Sequence, residues 1–128
     1  MYILLDTLLS LLHWLLIVFV LTGWAMKRTR KAHLTLLGLT VFSWLGLGYW
    51  FGFGYCLLTD WHWQVKRNLG QSGLPSSYVK YCLDSATDLD WDAFLVNSSV
   101  TGLGLAALSL NLIAKKLESS ESFPAPAP

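Results

Sequence analysis

The sequence predicts an all-α integral membrane protein with three transmembrane helices and one or two short interfacial helices on its outer side. Only 13% of the 128 residues are charged and 54% are hydrophobic, whereas soluble domains carry about 25% charged residues. Three stretches are apolar enough to cross a bilayer core, which needs about 20 residues of helix. The net charge is only +1. This composition excludes a disordered chain, a basic nucleic-acid binder and an ordinary water-soluble enzyme.

The three predicted spans cover residues 2–25, 33–58 and 93–114. The first contains one charged residue, Asp6, and the other two contain none. Because the first span has no basic residues before it and no small-residue cleavage site after it, we expect a retained helix and not a signal peptide. The spans form a single membrane domain, residues 1–117, and a flexible Pro/Ala-rich cytoplasmic tail follows at 118–128.

Basic residues set the predicted orientation. Four Lys and Arg residues lie in the loop at 26–32 and two follow Ala114, while the segment 59–92 holds three. Cytoplasmic loops carry an excess of Lys and Arg. The N-terminus and the segment 59–92 are therefore predicted to face outward and the C-terminus inward.

The outward segment, residues 59–92, is predicted to form two short helices. In the first, Trp61, Val65 and Leu69 recur every four residues and form one apolar stripe. That pattern is typical of a helix lying in the plane of the membrane interface. Trp61 and Trp63 are the predicted interface anchors.

Both cysteines fall on this outer side. Cys56 ends the second predicted span, and Cys82 lies in the second short helix, which Ser76 or Ser77 can cap. An oxidising compartment would allow a disulfide between the two cysteines. The alternative is that both are unpaired thiols packed in helices.

A polar stripe runs along the first span. Asp6, Ser10 and His13 share one helical face at about 100° per residue. Ionisable groups at the depth of His13 are costly unless they face protein, water or a partner. Three interpretations stay open: a neutral packing histidine bonded to a carbonyl or a hydroxyl, a proton path or small-molecule site, and a ligand of haem, quinone or metal. His33 lies about 18 Å away along the membrane normal, so a haem would need its second ligand from a partner.

Small residues form two further faces. Gly48 and Gly52 make a G-x-x-x-G pattern in the second span, and the third span has Ser98, Gly102 and Ala106 at four-residue spacing. Such faces let helices approach closely in lipid. They either pack the three spans together or contact a partner, which would be a larger membrane complex or a second copy.

No catalytic or phosphate-binding motif is present in the sequence. We therefore predict no catalytic residues, no metal and no bound cofactor. The leading hypothesis is a non-catalytic accessory or scaffold subunit of a larger membrane complex. The alternative is a membrane-embedded ligand, cofactor or proton-relay site built on Asp6 and His13.

Several residues also resemble a known family. They are Asp6, His13, Gly23, His33, the run Gly54 to Thr59, Lys66-Arg67, Gly70 and the run Tyr78 to Leu83. In this order they resemble the small bacterial membrane proteins catalogued as domain of unknown function 2784, from about residue 2 to about residue 112. The chain departs from that family's pattern at Leu57, where Pro is usual, and at Cys82, where an aromatic residue is usual. The resemblance implies a membrane protein, which we expect in the inner membrane of a Gram-negative bacterium. It points to Asp6, His13, His33, Cys56 and Thr59, but it implies no activity.

Overall fold

Five helices and no strand make up the described part of the chain, residues 1–122 and 126 of this computed structural model. In order they are α1 (Tyr2–Thr22), α2 (Arg30–Phe51), α3 (Leu57–Asn68), α4 (Tyr78–Thr87) and α5 (Ala93–Glu121). Helices α1, α2 and α5 are long and apolar enough to span a membrane, and they contact one another. The predicted fold class, all-α with three transmembrane helices, is confirmed.

Helix α2 ends earlier than the sequence predicts. It ends at Phe51 and not at residue 58, because Gly52 and Gly54 adopt positive φ angles of 107° and 90° that turn the chain out of the helix. The pair Gly48 and Gly52 is consequently not a helix-packing face. Gly52 lies beyond the helix, and the atom nearest to a Cβ built on Gly48 belongs to the loop that follows α2.

The small-residue stripe of α5 lies on the outer face of the bundle. Gly102 and Ala106 are exposed and Ser98 is partly so, and in the described part of the chain no atom of another residue lies within 4 Å of a Cβ built on Gly102. The buried face of α5 carries Val96, Asn97, Ala107 and Asn111 instead. The predicted stripe therefore does not pack the spans of this chain together, and its contact with a partner stays a prediction.

At one end of the bundle, the loop between α1 and α2 pairs with the last turns of α5. Lys27 Nζ lies 3.0 Å from Glu118 Oε1, and the Arg30 guanidinium pairs with the other oxygen of the same carboxylate. Helix α5 continues to Glu121, so the first residues of the predicted tail are helical. Most of the remaining tail lies outside the described residues. The basic loop and the end of α5 therefore lie on the same side of the bundle.

A fully buried histidine joins all three spans near this end. His33 Nε2 lies 2.8 Å from Val20 O on α1, and His33 Nδ1 lies 2.7 Å from Asn111 Nδ2 on α5. A carbonyl accepts and an amide NH₂ donates, so the proton is on Nε2. Gly23 permits this packing, because a Cβ there would lie 2.8 Å from His33 Cδ2. In lipid, polar contacts and close packing of this kind orient the helices.

At the opposite end, Asn97 of α5 holds the loop that follows α2. Its Nδ2 donates to Phe53 O at 3.3 Å and lies 3.4 Å from Ser76 Oγ. The loop passes so close that a Cβ added to Gly54 would lie 2.6 Å from Asn97 Nδ2. Both the positive φ and this close approach require glycine at position 54.

Helix α4 begins where the sequence predicts. Ser77 is its N-cap, and Ser77 Oγ accepts a hydrogen bond from the backbone N–H of Lys80. Lys80 Nζ lies 2.6 Å from Asp84 Oδ2 and 2.7 Å from Asp90 Oδ1. The hydrogen bonds to these two carboxylates raise the pKa of Lys80 above its ordinary value. The cluster joins α4 to the segment that leads into α5.

We expect Gly54→Ala to lower the free energy of unfolding by about 1–3 kcal/mol, because alanine is strained at this φ angle and its Cβ would clash with Asn97. Thermal unfolding in detergent, followed by Trp fluorescence, measures the effect. Gly38→Ala is the matched control, since no atom lies within 4 Å of its Cβ position, and it should leave the stability unchanged or slightly raised. Equal stability of the two variants would contradict this account.

Candidate functional site

Helix α3 packs antiparallel against the first half of α1. The contacts on α1 are made in turn by His13, Ser10 and Asp6, and their partners on α3 are Thr59, His62 and Lys66 in that order. Residue numbers fall along one helix as they rise along the other, so the two helices run in opposite directions. The three residues of the predicted polar stripe thus lie together against one neighbour.

The face of α3 that meets α1 is the polar one. Its buried residues are Thr59, His62, Trp63 and Lys66, while Trp61 is 55% exposed. The sequence predicts a helix lying in the interface, whereas α3 stands beside α1 because the polar stripe of α1 needs polar partners. Trp63 is also buried and not a surface anchor, and its indole N–H donates to Pro75 O at 2.7 Å.

His13, the deepest polar residue of the stripe, is buried and bonded at both ring nitrogens. Its Nδ1 lies 2.9 Å from Leu9 O, so this nitrogen carries the proton. In the neutral ring, Nε2 then accepts a hydrogen bond from the Thr59 hydroxyl, whose Oγ1 lies 3.2 Å away. A carbonyl and a hydroxyl are the partners expected for a packing histidine. The hydroxyl, however, comes from the outward segment and not from another span.

Asp6 and Lys66 form a shielded ion pair one helical turn beyond Ser10. Lys66 Nζ lies 2.9 Å from Asp6 Oδ1, and the two side chains are 5% and 25% exposed. The ammonium of Lys66 also lies 4.8 Å from the ring centre of Tyr81 on α4. Burial disfavours the charge of Lys66, but the hydrogen bonds to Asp6 and Tyr81 outweigh it and raise its pKa.

His62 donates to the same carboxylate oxygen. Its Nε2 lies 2.7 Å from Asp6 Oδ1 and therefore carries the proton, while its buried Nδ1 has no hydrogen-bond partner among the described residues. Burial lowers the pKa of His62 and outweighs the opposite effect of Asp6. Because Lys66 already compensates the charge of Asp6, a second cation here would be uncompensated.

Tyr78 of α4 completes the cluster by stacking on His13 and by packing at a tilt against His62. Its ring centre lies 4.1 Å from that of His13, at an interplanar angle of 25°, and 5.4 Å from that of His62. The two histidine rings are themselves stacked at 5.4 Å. Helices α1, α3 and α4 therefore meet in one aromatic and polar cluster, which fixes the positions of Thr59 and His13.

A cavity of about 230 Å³ extends from His13 and Thr59 into the bundle. Its walls come mainly from α1, α2 and α5, and Ile17, Val20, Trp44, Val100 and Gly104 are among the residues that line them. Apolar side chains form most of this lining, and the polar groups gather at the end where α3 and α4 begin. A mostly apolar cavity with a few convergent polar groups is the usual form of a small-molecule site.

A second pocket of about 170 Å³ lies at the α3 end of the bundle and shares Cys56 and Thr59 with the cavity. Next to it, α2 contains a π-helical segment, Phe42–Leu47, and such segments occur frequently at functional sites. This segment places Trp44 on the cavity wall. Its Ser43 hydroxyl donates to Tyr55 O at 3.0 Å and holds the pocket rim.

The two cysteines are further predicted site residues, for which the sequence allows a disulfide. Cys56 and Cys82 are both free thiols, so of the two alternatives that the sequence leaves open the structure has the unpaired one. Cys82 packs in α4, where burial raises the pKa of its thiol and disfavours the reactive thiolate. Within residues 1–122 and 126, no group of three or more His, Cys, Asp or Glu side chains is arranged to hold a metal ion.

Sequence reasoning missed His62, Lys66 and Tyr78. His62 and Lys66 lie off the apolar stripe of α3, where a helix in the interface plane has its water-facing residues. A usable signal was present, since positions 59, 62 and 66 repeat with nearly the same helical spacing as positions 6, 10 and 13. In lipid, two polar stripes of matching spacing on neighbouring helices can provide each other's hydrogen-bond partners.

A family model described as "Protein of Unknown function (DUF2784)" matches residues 3–115. The chain belongs to this family. No curated protein and no solved structure matches it. The DUF2784 match covers both the polar cluster and the cavity, and its description assigns no activity to them.

We expect Asp6→Asn to lower the free energy of unfolding by about 3–5 kcal/mol, because it leaves the buried ammonium of Lys66 without a counter-charge. Replacing both partners, as Asp6→Asn with Lys66→Met, should restore most of the loss. Asp60→Asn is the control and should have little effect, because among the described residues this carboxylate bonds only to Gln64, at 3.3 Å. A double variant as unstable as Asp6→Asn alone would argue against the ion pair.

The pKa of His62 also predicts a pH dependence. Its native pKa lies below the ordinary value of 6.5, so below that pH the unfolded chain binds more protons than the native one. Stability is then complete above pH 6.5 and falls as the pH drops toward the native pKa. His62→Gln keeps an N–H donor for Asp6 but cannot titrate, so its melting temperature should fall less between neutral and mildly acidic pH. Identical pH profiles for the two proteins would exclude His62 as the source.

Proposed function

We propose that this DUF2784 protein binds a small lipophilic molecule in the cavity between α1, α2 and α5. The observation that carries the proposal is the position of the buried His13–Thr59 pair at one end of an apolar cavity of about 230 Å³. A histidine with only a packing role needs its two hydrogen bonds and no adjoining space. Here the space is present, and its mostly apolar lining suits part of a lipophilic molecule.

The surrounding contacts favour a binding role because they make the polar end rigid. The Asp6–Lys66 ion pair and the stacked ring of Tyr78 hold α3 and α4 against α1. Binding sites built on fixed side chains lose less free energy on ordering when the ligand arrives. This develops the hypothesis of a membrane-embedded ligand or relay site at Asp6 and His13, with Thr59, rather than Asp6, as the group beside the ligand.

We also propose that the protein lies in a bacterial inner membrane with its N-terminus outside. Lys27 and Arg30 pair with Glu118 at one end of the bundle, so the basic loop and the C-terminal end of α5 share a side. The positive-inside rule makes that side cytoplasmic. Helices α3 and α4 then lie on the outer side.

A second candidate function is the non-catalytic accessory subunit of a larger membrane complex, or a homo-oligomer. The observation that favours it is the outward position of the stripe formed by Ser98, Gly102 and Ala106, which leaves room for a close helix. This role uses the outer face of α5, whereas the cavity uses the inner face. The two functions are therefore compatible and can be tested separately.

One pair of variants tests both functions. No atom of another described residue lies within 4 Å of a Cβ built on Gly104 or on Gly102, but Gly104 lines the cavity and Gly102 faces outward. The protein is extracted from its native membranes in mild detergent and examined by native mass spectrometry. We expect a bound small molecule in the wild type and in Gly102→Leu, and its loss in Gly104→Leu, because the new side chain fills the cavity.

Extraction of wild-type protein with no bound molecule, or a molecule retained equally by Gly104→Leu, would contradict ligand binding in the cavity. A stoichiometric protein partner that is lost in Gly102→Leu and kept in Gly104→Leu would support the accessory subunit. A monomer without partners would count against that second function.

A further inference from the structure

The cavity selects the charge of its ligand. None of the described residues that line it is Asp, Glu, Lys or Arg. The charged groups nearby, Asp6 and Lys66, are paired with each other on the far side of His62. A phosphate, carboxylate or ammonium group inside the cavity would therefore be a buried charge without a partner, which costs several kcal/mol. The ligand head is neutral.

Thr59 determines the hydrogen-bonding character of a head group that lies beside His13. His13 Nδ1–H is used by Leu9 O, and the Thr59 hydroxyl donates to His13 Nε2. With its hydrogen occupied, Thr59 Oγ1 offers only lone pairs to the cavity. It can accept a hydrogen bond from an O–H group, and it offers no hydrogen to an ester, ketone or ether oxygen.

The cavity opens sideways between two spanning helices. Its exposed lining residues are Leu21 on α1 and Leu103 on α5, which are 44% and 57% exposed. Both helices are long and apolar enough to cross the membrane, so the opening faces lipid tails. A ligand reaches Thr59 from the bilayer. At about 230 Å³, the cavity is below the range of about 300–1,000 Å³ usual for drug-sized ligands, so part of a long tail stays outside.

We infer that the ligand is a neutral single-tailed lipid with a hydroxyl head, taken sideways from the bilayer with its hydroxyl on Thr59 and its tail leaving between Leu21 and Leu103. This inference rests on the proposed function and adds the chemical class and the direction of binding. Trp44 of the π-helical segment and Gly104 are among the residues that line this cavity.

The test uses the full chain in phosphatidylcholine vesicles and three photoreactive probes with the same dodecyl tail: the alcohol, its methyl ether and the carboxylic acid. Each carries a diazirine near the far end of the tail, and competition with unlabelled dodecanol gives relative affinities. The alcohol should bind about tenfold more tightly than the ether, the effect of one hydrogen bond. The acid, measured at a pH where it is ionised, should bind most weakly.

The variant Thr59→Val should reduce alcohol binding about tenfold and remove the difference between alcohol and ether. Thr35→Val, on an exposed face of α2 where the hydroxyl bonds only Lys31 O, is the matched control and should change nothing. Cross-linked peptides should contain Leu21 or Leu103. Gly104→Leu should abolish labelling by all three probes.

Equal binding of alcohol, ether and acid that Gly104→Leu still abolishes would overturn the hydroxyl-headed class and leave cavity binding intact. Labelling of the peptide around Asp60 in place of Leu21 and Leu103 would overturn the sideways direction. Labelling that is insensitive to Gly104→Leu would overturn the inference and the proposed function together.

Discussion

The structure depends on the packing of two polar helix faces against each other. In lipid, apolar faces would need no such pairing. Asp6, Ser10 and His13 on α1 are costly in lipid unless other groups satisfy them. The face of α3 that carries His62 and Lys66 meets the same requirement. Once these faces pair, the direction of α3, the burial of Lys66 and the position of Thr59 all follow. The apolar side of α3 is left to face outward.

Single polar residues fix the rest of the bundle in the same way. Lipid tails are as apolar as leucine, so burial of apolar surface does not choose one arrangement of the spans over another. The hydrogen bond between His33 and Asn111 fixes the arrangement of the spans at the basic end. The hydrogen bond from Asn97 to the loop fixes it where the chain leaves α2. Between these two levels the side chains that face one another are mostly apolar and do not fill the space between the spans. The cavity is this space.

The charged side chains of the polar cluster hold the helices that surround the cavity, but they do not line the cavity. Asp6 and Lys66 neutralise each other outside the lining, and His62 and Tyr78 stand between them and His13. The cavity therefore has a rigid polar end without a charge. Ligand binding and partner binding would use opposite faces of α5, with Gly104 inside and Gly102 outside. One helix can thus serve both proposed functions of this DUF2784 protein.

The sequence by itself determined the three spans, the shared face of Asp6, Ser10 and His13, and the start of α4 at Ser76 or Ser77. These features are local, because hydropathy, helical period and capping depend on residues close together in the chain. Only the tertiary structure decided the end of α2 at Phe51, the inward turn of His62 and the choice of Thr59 as partner of His13. An apolar stripe facing lipid has the same sequence pattern as one facing a protein core, so the buried side of α3 depends on which helix lies beside it.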